Sequence, residues 1–226
     1  MKIKNDYVVG EVKQIIPQIF AVSIKDDYQR TMLFCRYQEF YESPYEEIRG
    51  QFFTWEKFMM IYKNRWKKDL FTYAEDWAGF NIPSNVVNKA MGVFVKDKGP
   101  YDDIMSDIWY HCENYPLRFE EPRKKWYLIG ADSFKSSTMN HEIAHGLYYT
   151  NKEYKKICEN LISEIKPTHY EKLKKKIIKM GYTDDKKIID DEIHAFMSTG
   201  LYNGLDTKEL KIYEKGFKSN FKKFTK

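Results

Sequence analysis

Two histidines, His141 and His145, stand four residues apart in the pentapeptide His-Glu-Ile-Ala-His, with Glu142 between them. In an α-helix, positions i and i+4 lie one turn apart on the same face, so both imidazoles can reach one cation. Neutral imidazole is a good zinc ligand, and catalytic zinc sites usually combine three protein ligands with a water. The pentapeptide therefore predicts zinc ligands at His141 and His145, with Glu142 directed at the water. The alternative is a surface helix with two unrelated histidines and a solvated glutamate.

The sequence around the pentapeptide predicts a strand, a polar turn and then a helix. Residues 126–131 form a short apolar run typical of a strand, and the polar stretch 132–137 can end it. One hydroxyl side chain is expected to cap the helix; the candidates are Ser136, Ser137 and Thr138. The apolar residues that would bury the back of the helix are Ile143, Ala144 and Leu147. We expect the helix to end near Tyr149 and the next to begin at once, because residues 150–153 have capping-box spacing.

Glu192 is the best candidate for a third ligand. It lies in a predicted helix that runs from about residue 184 to residue 199 and ends at Gly200. At spacings of three and four, one face of this helix carries Ile188, Glu192, Ala195, Phe196 and Thr199. A carboxylate in such an apolar face is costly to bury without a partner, and a metal cation would offset that cost. Asp191 is the rival ligand, and a structural salt bridge is the other interpretation of these carboxylates.

A helix with His-Glu-x-x-His, followed by a glutamate on a later helix, resembles the gluzincin group of zinc metallopeptidases. The resemblance covers roughly residues 126–200, and the pentapeptide is its only highly specific part. It implies a zincin-like fold, zinc ligands at His141, His145 and Glu192, and Glu142 as the general base. The wide separation of His145 from Glu192 is more similar to the lethal-factor and Pro-Pro endopeptidase branch than to thermolysin-like enzymes.

The chain departs from those enzymes at two positions. The lethal-factor branch places a tyrosine about two turns before the ligand glutamate, where this chain has Asp185; the nearest tyrosine is Tyr182. Thermolysin-like enzymes place a histidine-orienting aspartate four residues after the glutamate, where this chain has Phe196. Orientation of the imidazoles is therefore expected from Asp190, Asp191 or a backbone carbonyl.

The chemistry predicted from these residues is hydrolysis of a peptide or protein substrate. Zinc lowers the pKa of its water and polarises the scissile carbonyl, while Glu142 takes the proton of that water and delivers it to the departing amine. The developing oxyanion needs a further donor, for which the candidates are Tyr182, His169, Tyr148 and Tyr202. His194 is expected to point away from the side of Glu192, and both His194 and His111 are interpreted as satisfied surface or core histidines.

The strand at 126–131 has two open interpretations. As an edge strand, the position that the zincin resemblance implies, it would pair with an extended substrate through main-chain hydrogen bonds. As a central strand it would be buried on both faces, which a nearly unbroken apolar run suits equally well.

The 226 residues are predicted to form a single zincin-like catalytic domain of the α+β class, predominantly helical, with a small mixed sheet before the active-site helix. An aromatic-rich α/β region over residues 1–125 precedes the strand, active-site helix and helical part over 126–226. Predicted strands of the first region are 19–24 and 92–96; its predicted helices lie near 27–41, 54–67, 84–90 and 101–113, and residues 81–83 are typical of a turn. Further helices are predicted over 154–165, from a capping box at 168–171 to Gly181, and after a cap at Asp206.

Composition bounds the class of protein. A hydrophobic content of 42%, with 17% aromatic residues, is typical of a packed core and excludes a disordered chain; aromatic stripes are expected to be core. No stretch approaches eighteen uninterrupted apolar residues, and the N-terminus lacks the apolar segment of a secretory signal. Three widely spaced cysteines suggest no disulfide framework. We therefore expect a cytoplasmic protein with no membrane partner.

The formal net charge is +5, and the basic excess lies after residue 150. Its densest cluster comprises Lys172, Lys174, Lys175, Lys176 and Lys179. This surface motivates a rival hypothesis, a module that binds nucleic acid or an acidic partner, but the charge is mild and no nucleic-acid motif is present. A zinc-stabilised protein without activity is the other alternative. The sequence leaves the oligomeric state open.

Overall fold

The computed structural model describes residues 1–77, 79–115, 125–200, 205 and 208–226. Backbone contacts divide the chain into two compact units, Met1–Met139 (the first unit) and Asn140–Lys226 (the second unit). The α+β class is confirmed, since the described chain is predominantly helical and carries one small mixed sheet. That residues 1–226 act as one catalytic domain stays a prediction.

The sheet lies in the first unit and has five strands in the order β1-β2-β3-β5-β4. The strands are β1 (Lys2–Lys4), β2 (Val9–Ile16), β3 (Ile19–Ser23), β4 (Phe80–Pro83) and β5 (Tyr127–Ala131). Only β3 and β5 run parallel, and the other neighbours are antiparallel. The strand predicted at 19–24 is confirmed. β1 and β4 are not predicted because they are short, and β2 because its apolar and polar residues do not alternate regularly.

The predicted strand at 126–131 is confirmed as β5. It pairs with β3 on one side and with β4 on the other, and all its residues are buried. The interpretation as a central strand is therefore confirmed, and the interpretation as a substrate-binding edge strand is wrong, because both sides of β5 are already hydrogen-bonded.

The first unit also contains five α-helices among its described residues. They are α1 (Asp27–Glu42), α2 (Trp55–Trp66), α3 (Tyr73–Asp76), α4 (Ser84–Phe94) and α5 (Pro100–Glu113). All four predicted helices are confirmed, and only the short α3 is not predicted. α1 packs against β5 at Gly130, where an added Cβ would lie 2.6 Å from the ring of Phe34, so only glycine allows this close approach.

Two predictions for the first unit are wrong. The segment 92–96 is not a strand, because α4 continues to Phe94 and a 3-10 turn follows over Val95–Asp97. Val87, Ala90 and Phe94 are buried at helical spacing, so the apolar run extends the buried face of α4. Residues 81–83 are not a turn but part of β4, an edge strand whose last residue is a proline.

Aromatic side chains form most of the first unit's core, as predicted. Phe53, Phe58, Tyr73 and Phe80 are each at most 1% exposed. Phe58 contacts Tyr73 edge to face, Phe53 and Phe58 are tilted relative to each other, and Tyr73 stacks on Phe80.

All regular secondary structure in the described residues of the second unit is helical. α6 (Ser137–Thr150) begins just before the unit boundary and is followed by α7 (Lys152–Ser163), α8 (Pro167–Lys179), α9 (Lys186–Thr199) and α10 (Lys208–Phe224). The helices predicted in this part of the chain are confirmed. No helix in the described ranges combines the length and the apolar character that crossing a bilayer requires.

The helix caps of the second unit agree with the sequence only in part. The helix start predicted from the capping-box spacing of residues 150–153 is confirmed, but the cap is Asn151, which accepts a hydrogen bond from the Tyr154 N–H. Thr150, the cap that the spacing implies, is the last residue of α6, and its hydroxyl donates to the Gly146 carbonyl. The capping box predicted at 168–171 is wrong, because α8 already begins at Pro167, whose fixed φ suits the first helical position. The cap predicted at Asp206 lies outside the described residues.

Candidate metal centre

α6 carries the pentapeptide and places both histidines on one side. Its N-terminus is capped by Ser136, whose hydroxyl accepts a hydrogen bond from the Met139 N–H. Its other side is buried, as predicted, through Ile143, Ala144 and Leu147. The Nε2 atoms of His141 and His145 lie 3.2 Å apart. Two imidazole nitrogens therefore face the same point in space.

α9 brings Glu192 to that point. The helix begins at its cap, Asp185, and ends before Gly200, whose φ of 126° is unfavourable for other residues. Oε2 of Glu192 lies 3.5 Å from Nε2 of His141, and Oε1 lies 3.5 Å from Nε2 of His145. Glu192 is only 4% exposed, and among the described residues its Oε2 has no hydrogen-bond donor. A buried carboxylate in this state is what a cation would compensate.

The three residues fit a tetrahedral zinc ion. Zinc bonds of about 2.0–2.1 Å at the tetrahedral angle place neighbouring ligand atoms about 3.3–3.4 Å apart. The two Nε2 atoms lie 3.2 Å apart, and each lies 3.5 Å from a different oxygen of Glu192, Oε2 for His141 and Oε1 for His145. His141, His145 and Glu192 can therefore offer three protein ligands to one cation.

Solvent can reach this group from one side. The side chain of His141 is 18% exposed, whereas those of His145 and Glu192 are nearly inaccessible. The face of α9 predicted to be apolar and buried is only half-buried at Ile188 and Phe196. That part of the prediction is wrong, because the fully buried side of α9 is turned toward Ile189 and Ile193 instead.

Glu142 lies next to the group and is 6% exposed. Its charge acts on His145. Burial by itself lowers the pKa of the His145 imidazole, but the carboxylates of Asp191, Glu192 and Glu142 outweigh it and raise that pKa well above its usual value. The metal-free site therefore favours a cation, and a proton on His145 partly supplies one.

Asp191 supports His145 from behind and does not join the group of three. Its Oδ1 lies 3.0 Å from Nδ1 of His145, on the opposite side of the ring from Nε2. The interpretation of Asp191 as an orienting residue is therefore favoured over its role as rival third ligand. Asp190, the other candidate for orientation, instead accepts a hydrogen bond from the Tyr170 hydroxyl and pairs with Lys186.

The other ring, His141, is held differently. The ring of Phe196 lies 4.7 Å from it, centroid to centroid. Phe196 stands where thermolysin-like enzymes have an aspartate, so an aromatic contact occupies the place of a carboxylate.

The described candidates for the oxyanion donor make different contacts. Tyr182 is half-buried in the connection between α8 and α9, and its role stays a prediction. His169 contacts the Tyr213 hydroxyl through Nδ1 at 3.0 Å. The ring of Tyr148 stacks on that of His194 at 4.4 Å. Tyr202 lies outside the described residues.

The interpretation of His194 as a core histidine is confirmed, but its predicted direction is wrong. It is completely buried, but it does not point away from the site: Nδ1 lies 3.2 Å from Oδ1 of Asp191, and Nε2 lies 3.1 Å from the Ala144 carbonyl. The i, i+3 spacing of Asp191 and His194 was the available signal. His111, by contrast, lies in α5 of the first unit, with its ring against Phe20.

Comparison of the chain with protein-family models, with curated proteins and with solved structures found no match. The function is therefore inferred from the arrangement of His141, Glu142, His145 and Glu192 in the second unit.

Proposed function

We propose that this protein is a zinc-dependent metallopeptidase with a gluzincin-like site in a zincin-like fold. The observation that carries the proposal is the convergence of His141, His145 and Glu192: the two Nε2 atoms lie 3.2 Å apart, and each has a Glu192 carboxylate oxygen at 3.5 Å, close to the spacing of ligand atoms around zinc. A site that only stabilises the fold is normally closed by four protein ligands, whereas three ligands and a solvent-exposed edge suit catalysis.

Each residue of the proposed site has a separate role in hydrolysis. The zinc ion supplies Lewis acidity and lowers the pKa of a coordinated water toward neutrality. The two histidines and Glu192 hold the ion, and Asp191 orients His145 through its Nδ1. Glu142, on the same helix, accepts the proton of the attacking water and donates it to the departing amine. Tyr182 is the candidate donor to the oxyanion.

The structure offers less support for the rival hypothesis of nucleic-acid binding. Two of the five clustered lysines of α8 are paired with carboxylates: Lys172 with Glu209 at 2.7 Å and Lys174 with Asp184 at 2.6 Å. These pairs reduce the positive field of that surface. Should the lysines bind nucleic acid, affinity would fall steeply with salt.

The test combines metal analysis with a peptide-library cleavage assay. Purified protein should contain about one zinc per chain after saturation, and it should cleave a subset of the library. Glu142→Gln should retain zinc and lose hydrolysis by at least about 100-fold, as expected for removal of a general base. The matched control is Glu159→Gln on the exposed side of α7, which should change neither property.

Each outcome separates the hypotheses. A wild-type protein that takes up no zinc contradicts the proposal. Zinc without hydrolysis of any peptide favours the non-catalytic, zinc-stabilised alternative. Unchanged turnover in Glu142→Gln removes Glu142 from the proposed role.

A further inference from the structure

The buried imidazole of His194 has no role in the proposed mechanism. His194 on α9 has no exposed surface. Its ring lies between two tyrosines, stacked on Tyr148 at 4.4 Å and edge-on to Tyr154 at 5.8 Å. These rings fix its plane, so its two nitrogens point in defined directions.

One nitrogen joins the two helices that carry the metal-binding group. Nε2 lies 3.1 Å from the carbonyl oxygen of Ala144, the residue immediately before His145. Because His194 is two residues after Glu192, this contact links the ligand positions of α6 and α9 through the backbone.

The other nitrogen faces Asp191. Nδ1 of His194 lies 3.2 Å from Oδ1 of Asp191, and the same oxygen lies 3.0 Å from Nδ1 of His145. One carboxylate oxygen is thus shared by two imidazoles. The Asp191 side chain is 25% exposed, so without the second contact it could turn toward solvent and leave His145 unsupported.

We propose that His194 is a positioning residue. It holds Asp191 against His145, and Asp191 in turn keeps Nε2 of His145 directed at the zinc position. The inference rests on the proposed metal centre. The outer partners of metal-ligating histidines typically contribute about 10- to 100-fold to metal affinity.

A second metal ion is the competing explanation for the same atoms. Nδ1 of His145, Oδ1 of Asp191 and Nδ1 of His194 are close enough to hold a cation of their own. His145 would then have to bind two cations through both ring nitrogens, which requires it to lose its last ring proton. The positioning role needs no such step.

Two substitutions separate the two contacts of His194. In His194→Gln the amide can reach the Ala144 carbonyl in place of Nε2, but it leaves Asp191 without its partner. In His194→Asn the shorter amide can take the place of Nδ1 beside Asp191, but it loses the link to α6. His169→Gln on α8 is the matched control for loss of a histidine with a single hydroxyl contact.

Zinc affinity is measured by competition with a chelator. We expect the zinc Kd to rise about 10- to 100-fold in His194→Gln and to stay within about threefold of wild type in His194→Asn. The Tm should follow the opposite order, with His194→Asn the less stable. The proposal is overturned if His194→Gln binds zinc like wild type, if affinity follows Tm across both variants, or if wild type binds two ions and both variants bind one.

The metal-free protein provides a separate test. The ring ¹⁵N and Nδ1–H signals of His145, recorded by NMR, should shift in His194→Gln and remain near wild type in His194→Asn. If wild type takes up no zinc, the proposed function fails, and these signals still decide the role of His194. Unchanged His145 signals in His194→Gln would overturn the proposal.

Discussion

Each unit of the protein buries a cluster of charged residues, and the two clusters are built on opposite principles. The first unit contains the Arg36 cluster, defined as Arg36, Tyr37, Asp97 and Asp102. Arg36 donates to Asp102 at 3.1 Å, to the Asp97 carbonyl at 2.9 Å and to the Phe53 carbonyl at 3.1 Å. Tyr37 donates to the second oxygen of Asp102 at 3.1 Å. Donors and acceptors alternate, so this cluster supplies its own partners.

The second unit contains the histidine cluster, defined as His141, His145, Asp191, Glu192 and His194. Its lone-pair atoms converge: the Nε2 atoms of His141 and His145 lie 3.2 Å apart, and each lies 3.5 Å from one carboxylate oxygen of Glu192. Imidazole nitrogens and carboxylate oxygens at such short distances repel one another unless a proton or a metal ion lies between them. The carboxylate of Asp102 is therefore paired with a cation and a hydroxyl as folded, although Nε of Arg36 has no acceptor among the described residues. The histidine cluster, by contrast, is organised for a cation.

Buried charged groups of these two kinds have different interpretations. A buried guanidinium with carboxylate partners needs no ligand, and removing one partner leaves the other charge unpaired. Acceptors that face one another are evidence of binding. Four perturbations compare the two clusters, in decreasing order of expected effect.

Arg36→Met should have the largest effect on folding. It leaves the buried carboxylate of Asp102 without its cation, which typically destabilises by about 3–5 kcal/mol. Urea denaturation followed by circular dichroism measures the loss. Arg49→Met is the control, because its ion pair with the exposed Glu46 is long, at 3.9 Å, and should change stability little. Equal stability of the two variants would contradict the structural role of the Arg36 cluster.

Zinc should stabilise through the histidine cluster. At a free concentration 100 times Kd, a ligand that binds only the folded state adds about 2.7 kcal/mol to the free energy of unfolding. Glu192→Gln should remove most of this increment, because an amide is a weaker ligand than a carboxylate. Denaturation with and without zinc measures both values. An increment that persists in Glu192→Gln would exclude Glu192 as a ligand.

The sequence predicts part of the histidine cluster but none of the Arg36 cluster. Spacing within one helix is sufficient for His141, Glu142 and His145, because an α-helix converts four residues of separation into a shared face. Glu192 is predictable in part, since a carboxylate on an apolar helix face needs a partner. The packing of α6 against α9, by contrast, decides the identity of that partner and the inward position of His194. No local pattern specifies this packing.

The first unit shows the same limit. Helices with clear N-caps or regular apolar spacing, such as α1 and α2, are predicted nearly to the residue. β1 is missed because it has only three residues, and β2 because its apolar and polar residues do not alternate regularly. The Arg36 cluster joins α1 to residues 97 and 102, and contacts so distant in sequence leave no periodic signal.

Zinc affinity should depend on pH through His145. In the metal-free protein the pKa of His145 is raised well above its usual value. A proton on His145 therefore stabilises the metal-free fold at pH values below the unfolded pKa, and this contribution is lost as the pH rises through the folded pKa. Zinc must displace that proton, so its apparent Kd should increase by about tenfold for each unit of pH below the folded pKa. Chelator competition at pH 6, 7 and 8 measures the slope, and a constant Kd would contradict proton displacement at His145.

Replacing Phe196 should have the smallest effect and tests the asymmetry within the histidine cluster. His141 is held by the ring of Phe196 at 4.7 Å, whereas His145 is held by a carboxylate. Phe196→Leu keeps an apolar contact and loses only the aromatic part, worth about 0.5–1.5 kcal/mol, so zinc Kd should rise about two- to tenfold. The same titration on Asp191→Asn should give a larger increase, because that amide no longer carries the charge that orients His145. If Phe196→Leu instead weakens zinc binding more than Asp191→Asn does, the aromatic contact to His141 contributes more to zinc affinity than the carboxylate contact to His145.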